Sequence, residues 1–415
     1  MNHRMLLILP LCWASTSAAL ELPRYDDFAQ PPHNYWQRTP TDCFTKLKAD
    51  LESRRIVLDS TSEKAFVASL LKALDIPASS QLLVFSTTSL QLSLISTSRP
   101  RALYFSEDLY LGYVQGGRIE IVSLDPELGG IFYIFDLPRD EQPLRIERSN
   151  RCMNCHAASE TRSVPGLLVK SVVSGPNRGS LDSFRTDEIG HSVPFSERFG
   201  GWYVTGAHAI TNHWGNLTGR LSPEGLTKIP VEPGRHFDWD RYPAATSDIL
   251  PHLLHEHQAG FVNRAVEAAY RGRAYLHAGE GRLNKEQAEE LDRQARQLSR
   301  YLLFADEAPL PEGGVQGDPA FKQDFQRNRK TADDGSSLKD FDLRTRLFKH
   351  RCSYMIYSAA FQGLPSVIKE RVYRRLGEAT DVAKPDPEYA YLSPGEKNAL
   401  RRILKETLSD LPAWW

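Results

Sequence analysis

The chain has 415 residues, enough for two or three domains, and its composition of 41% hydrophobic and 25% charged residues is that of a globular protein. Its 51 Lys and Arg residues nearly balance 52 Asp and Glu residues, which argues against nucleic acid or an anionic membrane surface as a partner. No internal apolar run approaches the roughly 18 residues of a membrane helix, so we expect no transmembrane segment in the mature chain.

Residues 1–19 have the pattern of a signal peptide. A basic residue, Arg4, precedes an apolar run at 5–13, and small residues end at Ala19. We predict cleavage after Ala19 and export, with the bacterial periplasm as the destination. Cys12 raises the alternative of a lipidated N-terminus, which the large residue before it disfavours.

The region 20–80 is predicted to form an N-terminal arm followed by helices. The arm is rich in proline and aromatic residues, and Thr41 or Asp42 can cap the helix that follows it. The predicted helices are at 41–54 and 64–74.

The region 81–246 is predicted to be rich in β-structure. Short apolar runs about ten residues apart, separated by turn signals such as Gly116-Gly117, indicate an antiparallel meander. The predicted strands are at 81–95, 101–105, 110–114, 118–124, 130–136, 144–147, 166–173 and 201–205.

The region 247–415 is predicted to be helical because its apolar residues recur at helical spacing. The predicted helices are at 248–270, 284–303, 321–329, 347–361, 365–376 and 394–408. The fold class is therefore predicted to be α+β, with an antiparallel β-rich N-terminal half and a helical C-terminal half.

The stretch Cys152-Met153-Asn154-Cys155-His156 reads C-x-x-C-H, the attachment signal for a c-type haem. The thiols of Cys152 and Cys155 can add to the two vinyl groups of haem, and the imidazole of His156 can bind the iron as proximal ligand. The motif therefore predicts one covalent haem c.

A C-x-x-C pair also occurs in redox dithiols and as half of a zinc site. Three features favour haem: His156 directly follows Cys155, the chain has no second C-x-x-C, and an export signal precedes the motif. A Cys/Cys/His metal site and a redox dithiol remain as alternatives.

The distal iron ligand decides the chemistry, since a second protein ligand favours electron transfer and an open position admits small molecules. Met355 lies in an apolar stretch where packing is the expected role. The distal candidates are therefore His208, His213 and His257, with an open site as a further alternative. His252 and His255, spaced i and i+3, raise the possibility of a second metal site, against the simpler interpretation of a polar helix face.

Two cysteines remain once the signal peptide and the haem motif are set aside. In an oxidising compartment Cys43 and Cys352 are candidates for a disulfide, and two buried free thiols are the alternative.

Several stretches resemble a family of secreted bacterial proteins with a single C-x-x-C-H motif, described as cytochrome c domain-containing. The stretches are 102–105, 118–120, 151–156, 164–167, 200–206, His208, His213, 215–216, 247–249, 256–258 and 351–354. The resemblance implies haem binding and export, but no substrate. The resemblance also leads us to expect methionine at the position of Trp214. If that methionine binds iron in relatives, this chain cannot bind iron in the same way.

The leading hypothesis is an exported mono-haem c-type cytochrome that exchanges electrons with a partner protein or a small-molecule donor or acceptor. A chain this long exceeds what electron carriage needs, so a haem enzyme of peroxidase or oxidase type is an alternative, with Arg185 or Arg198 as distal charge stabiliser. A small-ligand-binding haem module is a further alternative.

Overall fold

The computed structural model of the chain describes residues 22–138, 143–175, 179–184 and 189–415. The predicted signal peptide, Cys12 included, and Arg185 lie outside the described residues. Within them, antiparallel strands dominate the N-terminal half and helices the C-terminal half, which confirms the predicted α+β class. Among these residues, no helix combines the length and apolar character needed to cross a bilayer.

The main sheet has seven strands, all antiparallel to their neighbours, in the order β6-β5-β4-β3-β2-β1-β9. The four strands from β2 to β5 are consecutive in the chain and confirm the predicted meander. The strands of the main sheet are β1 Leu82–Val84, β2 Arg101–Phe105, β3 Leu109–Tyr113, β4 Arg118–Asp125, β5 Gly129–Asp136, β6 Glu147–Arg148 and β9 Trp202–Tyr203.

Two further hairpins lie outside the main sheet. One pairs β7 Ser171–Ser174 with β8 Ser180–Phe184, and the other pairs β10 Leu217–Ser222 with β11 Gly225–Pro230. The second hairpin was not predicted, because its strands are short, polar and largely exposed and so lack an apolar pattern.

Most of the described helices begin where a polar side chain accepts a free backbone N–H group, although α3 and α8 have no such cap. Asp42 accepts from Phe44 at the start of α1, and Asp248 accepts from Leu250 at the start of α4. The helices are α1 Cys43–Glu52, α2 Glu63–Ala73, α3 Met153–His156, α4 Ile249–Ala278, α5 Lys285–Leu302, α6 Pro319–Gln326, α7 Ala359–Gln362, α8 Ser366–Ala379 and α9 Pro394–Thr407.

The sheet lies between two helical layers because its side chains alternate between two apolar faces. Phe105, Tyr110 and Trp202 pack in the same core as α4, α5, α8 and α9. Tyr104 and Tyr113 point the other way and pack with α1 and α2. Helix α4 is buried along nearly its whole length, so it forms the centre of the first core.

Two predicted elements are corrected by the structure. In the stretch 81–95 only β1 is strand, because the N–H groups of Phe85 and Ser86 both donate to the carbonyl of Gly201 and the chain then turns. The predicted helix 347–361 is broken by Ser353 and Ser358, whose extended backbone and capping hydroxyls start a 3₁₀ turn and the short α7.

The predicted Cys43–Cys352 disulfide is also corrected, since both thiols are free. Cys43 is exposed at the start of α1, where its Sγ lies 3.5 Å from the hydroxyl of Ser123. Cys352 is fully buried in the core that contains α4. The two cysteines therefore belong to different layers of the molecule.

Candidate functional site

The cysteine motif forms one helical turn directly after the edge strand β6. The N–H of Cys155 and that of His156 both donate to the carbonyl of Cys152, at 3.2 and 3.0 Å. Positions i, i+3 and i+4 of a helix are neighbours on one face, so Cys152, Cys155 and His156 project together. All three line one cavity, and neither cysteine forms a disulfide.

The orientation of His156 is fixed by the backbone of Gly166. The ring Nδ1 of His156 lies 2.9 Å from the carbonyl oxygen of Gly166, and the N–H of Gly166 donates to the carbonyl of His156 at 2.9 Å. Because a carbonyl only accepts, Nδ1 carries the proton and Nε2 keeps its lone pair. Burial and the Arg101 guanidinium lower the pKa of His156 and favour this neutral form, although the Gly166 hydrogen bond opposes them.

Helix α4 holds the Gly166 loop in place through Asn263. The Asn263 amide accepts the N–H of Leu167 at 2.7 Å and donates to the carbonyl of Leu167 at 2.8 Å. A Cβ atom at position 166 would come within 2.3 Å of the Asn263 Oδ1 atom, so this approach requires glycine. The orientation of His156 therefore depends on a residue more than a hundred positions later in the chain.

The cavity lies between the sheet and α4 and has a volume of about 120 Å³. Its mainly apolar wall, with a few polar side chains, is typical of a site for a small organic molecule or cofactor. Gly112 lines the cavity beside Arg101, and a Cβ at this position would come within 2.6 Å of the Arg101 guanidinium. The apolar and aromatic wall residues are Val84, Leu90, Leu103, Tyr110, Leu111, Ile121, Val122, Phe132, Tyr133, Leu167, Leu168 and Trp202.

Charged groups occupy part of the cavity wall. Arg101 and Glu120 form an ion pair across β2 to β4, and both side chains are mostly buried. The Glu120 carboxylate also accepts hydrogen bonds from Ser89 and Gln91, at 3.1 and 3.0 Å. Lys170 lines the cavity and pairs with Glu160 at 3.1 Å. The wall thus offers two cationic side chains next to a largely apolar space.

His255 on α4 lines the same cavity as His156. Only 6% of His255 is exposed, and the rings of Phe105, Tyr110 and Trp202 surround it at centroid distances of 5.3 to 6.3 Å. In the described part of the chain, its ring nitrogens make no hydrogen bond. Burial, helped by Arg101, lowers the pKa of His255 to about 4, so the imidazole is neutral at pH 7.

None of the three predicted distal histidines lines this cavity. His208 lines a separate surface groove. The ring of His213 lies 5.5 Å from the ring of His208, and the His213 Nδ1 atom accepts the N–H of Gly215. His257 is fully buried, with Nδ1 2.7 Å from the Nδ1 of His191 and Nε2 2.6 Å from the Ser353 hydroxyl. Both nitrogens of His257 are therefore engaged in the helical core.

Two other residues considered from the sequence also lie outside the cavity wall. Met355 is fully buried in the core, in agreement with the expected packing role. Arg198 is buried and donates to the carbonyls of Val193 and His191, both at 2.7 Å. The guanidinium group that does line the cavity belongs to Arg101.

Sequence reasoning missed Arg101, Gly112, Glu120 and Asn263 and ranked His255 low. Their positions along the chain carry no motif, and only the pairing of the strands and the packing of α4 bring them to one place. Across the described ranges, no group of three or more His, Cys, Asp or Glu side chains is arranged to hold a metal ion. This gives no support to a Cys/Cys/His metal site or to a second metal site at His252 and His255.

Three comparisons were made, with protein-family models, with curated proteins and with solved structures, and none gives a match to this chain. The geometry of the cavity and of the Cys152–His156 turn is therefore the basis for assigning a function.

Proposed function

We propose that the chain is an exported c-type cytochrome that carries one covalent haem and acts in electron transfer. The observation that supports this most directly is that Cys152, Cys155 and His156 line one mainly apolar cavity. The three donor groups of the C-x-x-C-H signal thus meet at one cavity wall, with His156 prepared as a neutral ligand.

The attachment chemistry needs only the two free thiols and the haem vinyl groups. Each S–H adds across one vinyl C=C bond, so that one C–S bond and one C–H bond form and no atom leaves. The additions involve no net oxidation, and they need two thiols that are not joined in a disulfide, which is how Cys152 and Cys155 are arranged here. Burial raises the pKa of Cys152, which keeps that thiol protonated at neutral pH.

Different residues of the chain would bind the iron, cover the porphyrin and contact the carboxylates of the cofactor. His156 would bind the iron through Nε2, because Nδ1 donates to Gly166. The apolar wall, with Phe132 at 4.6 Å from the His156 ring, would exclude water from the porphyrin face. Arg101 and Lys170 would donate hydrogen bonds to the haem carboxylates while each keeps its own carboxylate partner, Glu120 or Glu160. The bound haem would supply a one-electron couple whose potential depends on the axial ligands and on burial.

Electron transfer is favoured over a peroxidase-like enzyme by the contents of the cavity. The arginine considered for the distal side, Arg198, is fixed elsewhere by backbone carbonyls and by an ion pair with Glu256. Arg101 does line the cavity, but Glu120 neutralises it. The electron donor or acceptor would be a partner protein or a small molecule that reaches the haem edge.

The proposal is tested by producing the chain with a haem-attachment system in a bacterial periplasm. Covalent haem should survive denaturing electrophoresis, add the mass of one haem to the chain and give the pyridine haemochrome spectrum of a c-type haem. The double variant Cys152→Ala/Cys155→Ala should retain none. The control Cys43→Ala removes a free, exposed cysteine outside the cavity and should load haem normally. A wild-type chain that binds no covalent haem would refute the proposal.

A further inference from the structure

His255 differs from the other histidines of α4 in having a buried ring with no hydrogen-bond partner in the described part of the chain. His252 makes a 2.9 Å contact with the carbonyl of Tyr203, and His257 makes a 2.6 Å contact with the hydroxyl of Ser353. Both ring nitrogens of His255 keep some accessible surface and are not among the fully buried unpaired polar atoms, so a partner for them would have to enter an open space beside the ring. The cavity that His255 shares with His156 offers such a space.

The surroundings of His255 hold its ring in a defined place. Three aromatic side chains pack around it, and α4 is tied to β3 one turn further along, where the Tyr110 hydroxyl donates to Gln258 at 3.0 Å. Gln258 in turn donates to the Tyr354 hydroxyl at 3.0 Å. A ligand on a rigid, buried helix is positioned more accurately than one on a loop.

We propose that His255 is the second protein ligand of the haem iron, which it would bind together with His156. This inference rests on the proposed haem function and names the group that closes the iron's sixth position. Two imidazole ligands make the iron low-spin and leave no position for a small molecule, and they give a lower reduction potential than His/Met ligation. The protein would then be an electron carrier and not an oxygen- or peroxide-activating enzyme.

The test uses spectra of the purified, haem-loaded chain and carbon monoxide as the probe. Wild-type protein should be low-spin in both oxidation states, and its ferrous form should not bind carbon monoxide. His255→Ala should become high-spin in the ferric state and should bind carbon monoxide fully when reduced. Added imidazole should restore the low-spin spectrum. His208→Ala, which removes a histidine outside the cavity, should behave like wild type.

A second variant covers the case in which His255→Ala fails to fold. His255→Met keeps an uncharged side chain of similar bulk that can also bind iron, so it should stay low-spin with a raised reduction potential. A haem-loaded wild-type chain that is high-spin or binds carbon monoxide would overturn the His255 assignment and leave covalent haem intact. An unchanged low-spin spectrum in His255→Ala would also overturn it. A chain without covalent haem would remove both proposals.

Discussion

Gly112 leaves room for the Arg101 guanidinium at the cavity wall, because a Cβ at this position on β3 would come within 2.6 Å of it. Its backbone is ordinary extended strand, so a larger residue is not strained by its conformation. A leucine there would instead displace the Arg101 guanidinium and fill the space above it. We expect Gly112→Leu to reduce the fraction of chains that carry haem several-fold, since overpacking costs about 1–3 kcal/mol.

The measurement is haem content per chain by absorbance, with folding checked by circular dichroism. Gly395→Leu is the control: it places the same side chain in open space on the exposed first turn of α9 and should leave haem content unchanged. If Gly112→Leu folds and loads haem as wild type does, the cofactor does not occupy this part of the cavity.

At the scale of single residues, the grouping of Cys152, Cys155 and His156 on one helical turn could be predicted and the rest of the cavity wall could not. These three residues are recognisable because their spacing within one turn is what the proposed haem attachment requires. The proposed role of His255 depends instead on which side of α4 faces the sheet. Helix α4 is buried on nearly all sides, so its apolar pattern does not distinguish the face of His255 from that of His257.

Through Asn263, helix α4 also holds the Gly166 loop that orients His156. Replacing Asn263 with leucine keeps the volume but leaves the buried N–H and carbonyl of Leu167 without partners. Each unsatisfied group costs about 1–3 kcal/mol, so we expect Asn263→Leu to lower the free energy of unfolding by about 2–5 kcal/mol. Urea denaturation monitored by fluorescence measures this loss.

The matched control for Asn263→Leu is Asn212→Leu, at an exposed position. It should change the free energy of unfolding by less than about 0.5 kcal/mol. Equal losses in the two variants would mean that the Asn263 amide does not hold the Gly166 loop.

Asp108 joins the β2–β3 turn to the start of α7, where its carboxylate accepts the N–H of Ala359 at 3.0 Å. Burial raises the pKa of Asp108 from 3.8 to about 7. Because the folded-state pKa is raised, the favourable contribution of this group is complete below pH 3.8 and is lost as the pH rises through about 7. The protonated side chain therefore favours the folded state in mildly acid solution.

We expect Asp108→Asn to gain stability relative to wild type as the pH rises from 4 to 8, because Asn cannot ionise but can still accept from Ala359. The side chain is only partly buried, so the gain should be about 2–3 kcal/mol by pH 8. Urea denaturation at several pH values measures the difference between the two proteins. The exposed control Asp333→Asn should show no such trend. A pH-independent difference for Asp108→Asn would contradict the raised pKa.

At the scale of elements, capping residues and apolar spacing predicted most helices and the meander within a few residues. The predicted helices at 41–54 and 284–303 became α1 and α5, since Asp42 and Asn284 do cap them. The failures occurred where local polar groups compete with regular structure. Ser353 and Ser358 interrupt a stretch whose apolar content suits a helix, and their effect depends on hydroxyl hydrogen bonds that spacing does not reveal.

At the scale of the whole molecule, the cavity lies where the sheet and the helical half share one hydrophobic core. Tyr110 and Trp202 come from the sheet and His255 from α4, so neither half encloses the site alone. No sequence pattern describes this arrangement, because it depends on contacts between residues about 50 to 150 positions apart. The fold class could be predicted from local patterns, whereas the placement of the cavity required the tertiary structure.

A cofactor in this position should stabilise both halves together. A haem-free chain would keep an apolar cavity between β3 and α4, and local opening of these elements would cost less free energy. We expect amide hydrogen exchange in β3 and in the middle of α4 to be at least about tenfold faster in haem-free Cys152→Ala/Cys155→Ala than in the haem-loaded chain, which corresponds to ~1.4 kcal/mol.

Helices α8 and α9 contribute no residue to the cavity wall, so exchange in these helices should change little. Exchange measured by mass spectrometry, with haem-loaded Cys43→Ala as the control, gives the comparison. Equal acceleration throughout the chain would indicate a general loss of stability, and no acceleration at β3 and α4 would show that the cofactor binds elsewhere.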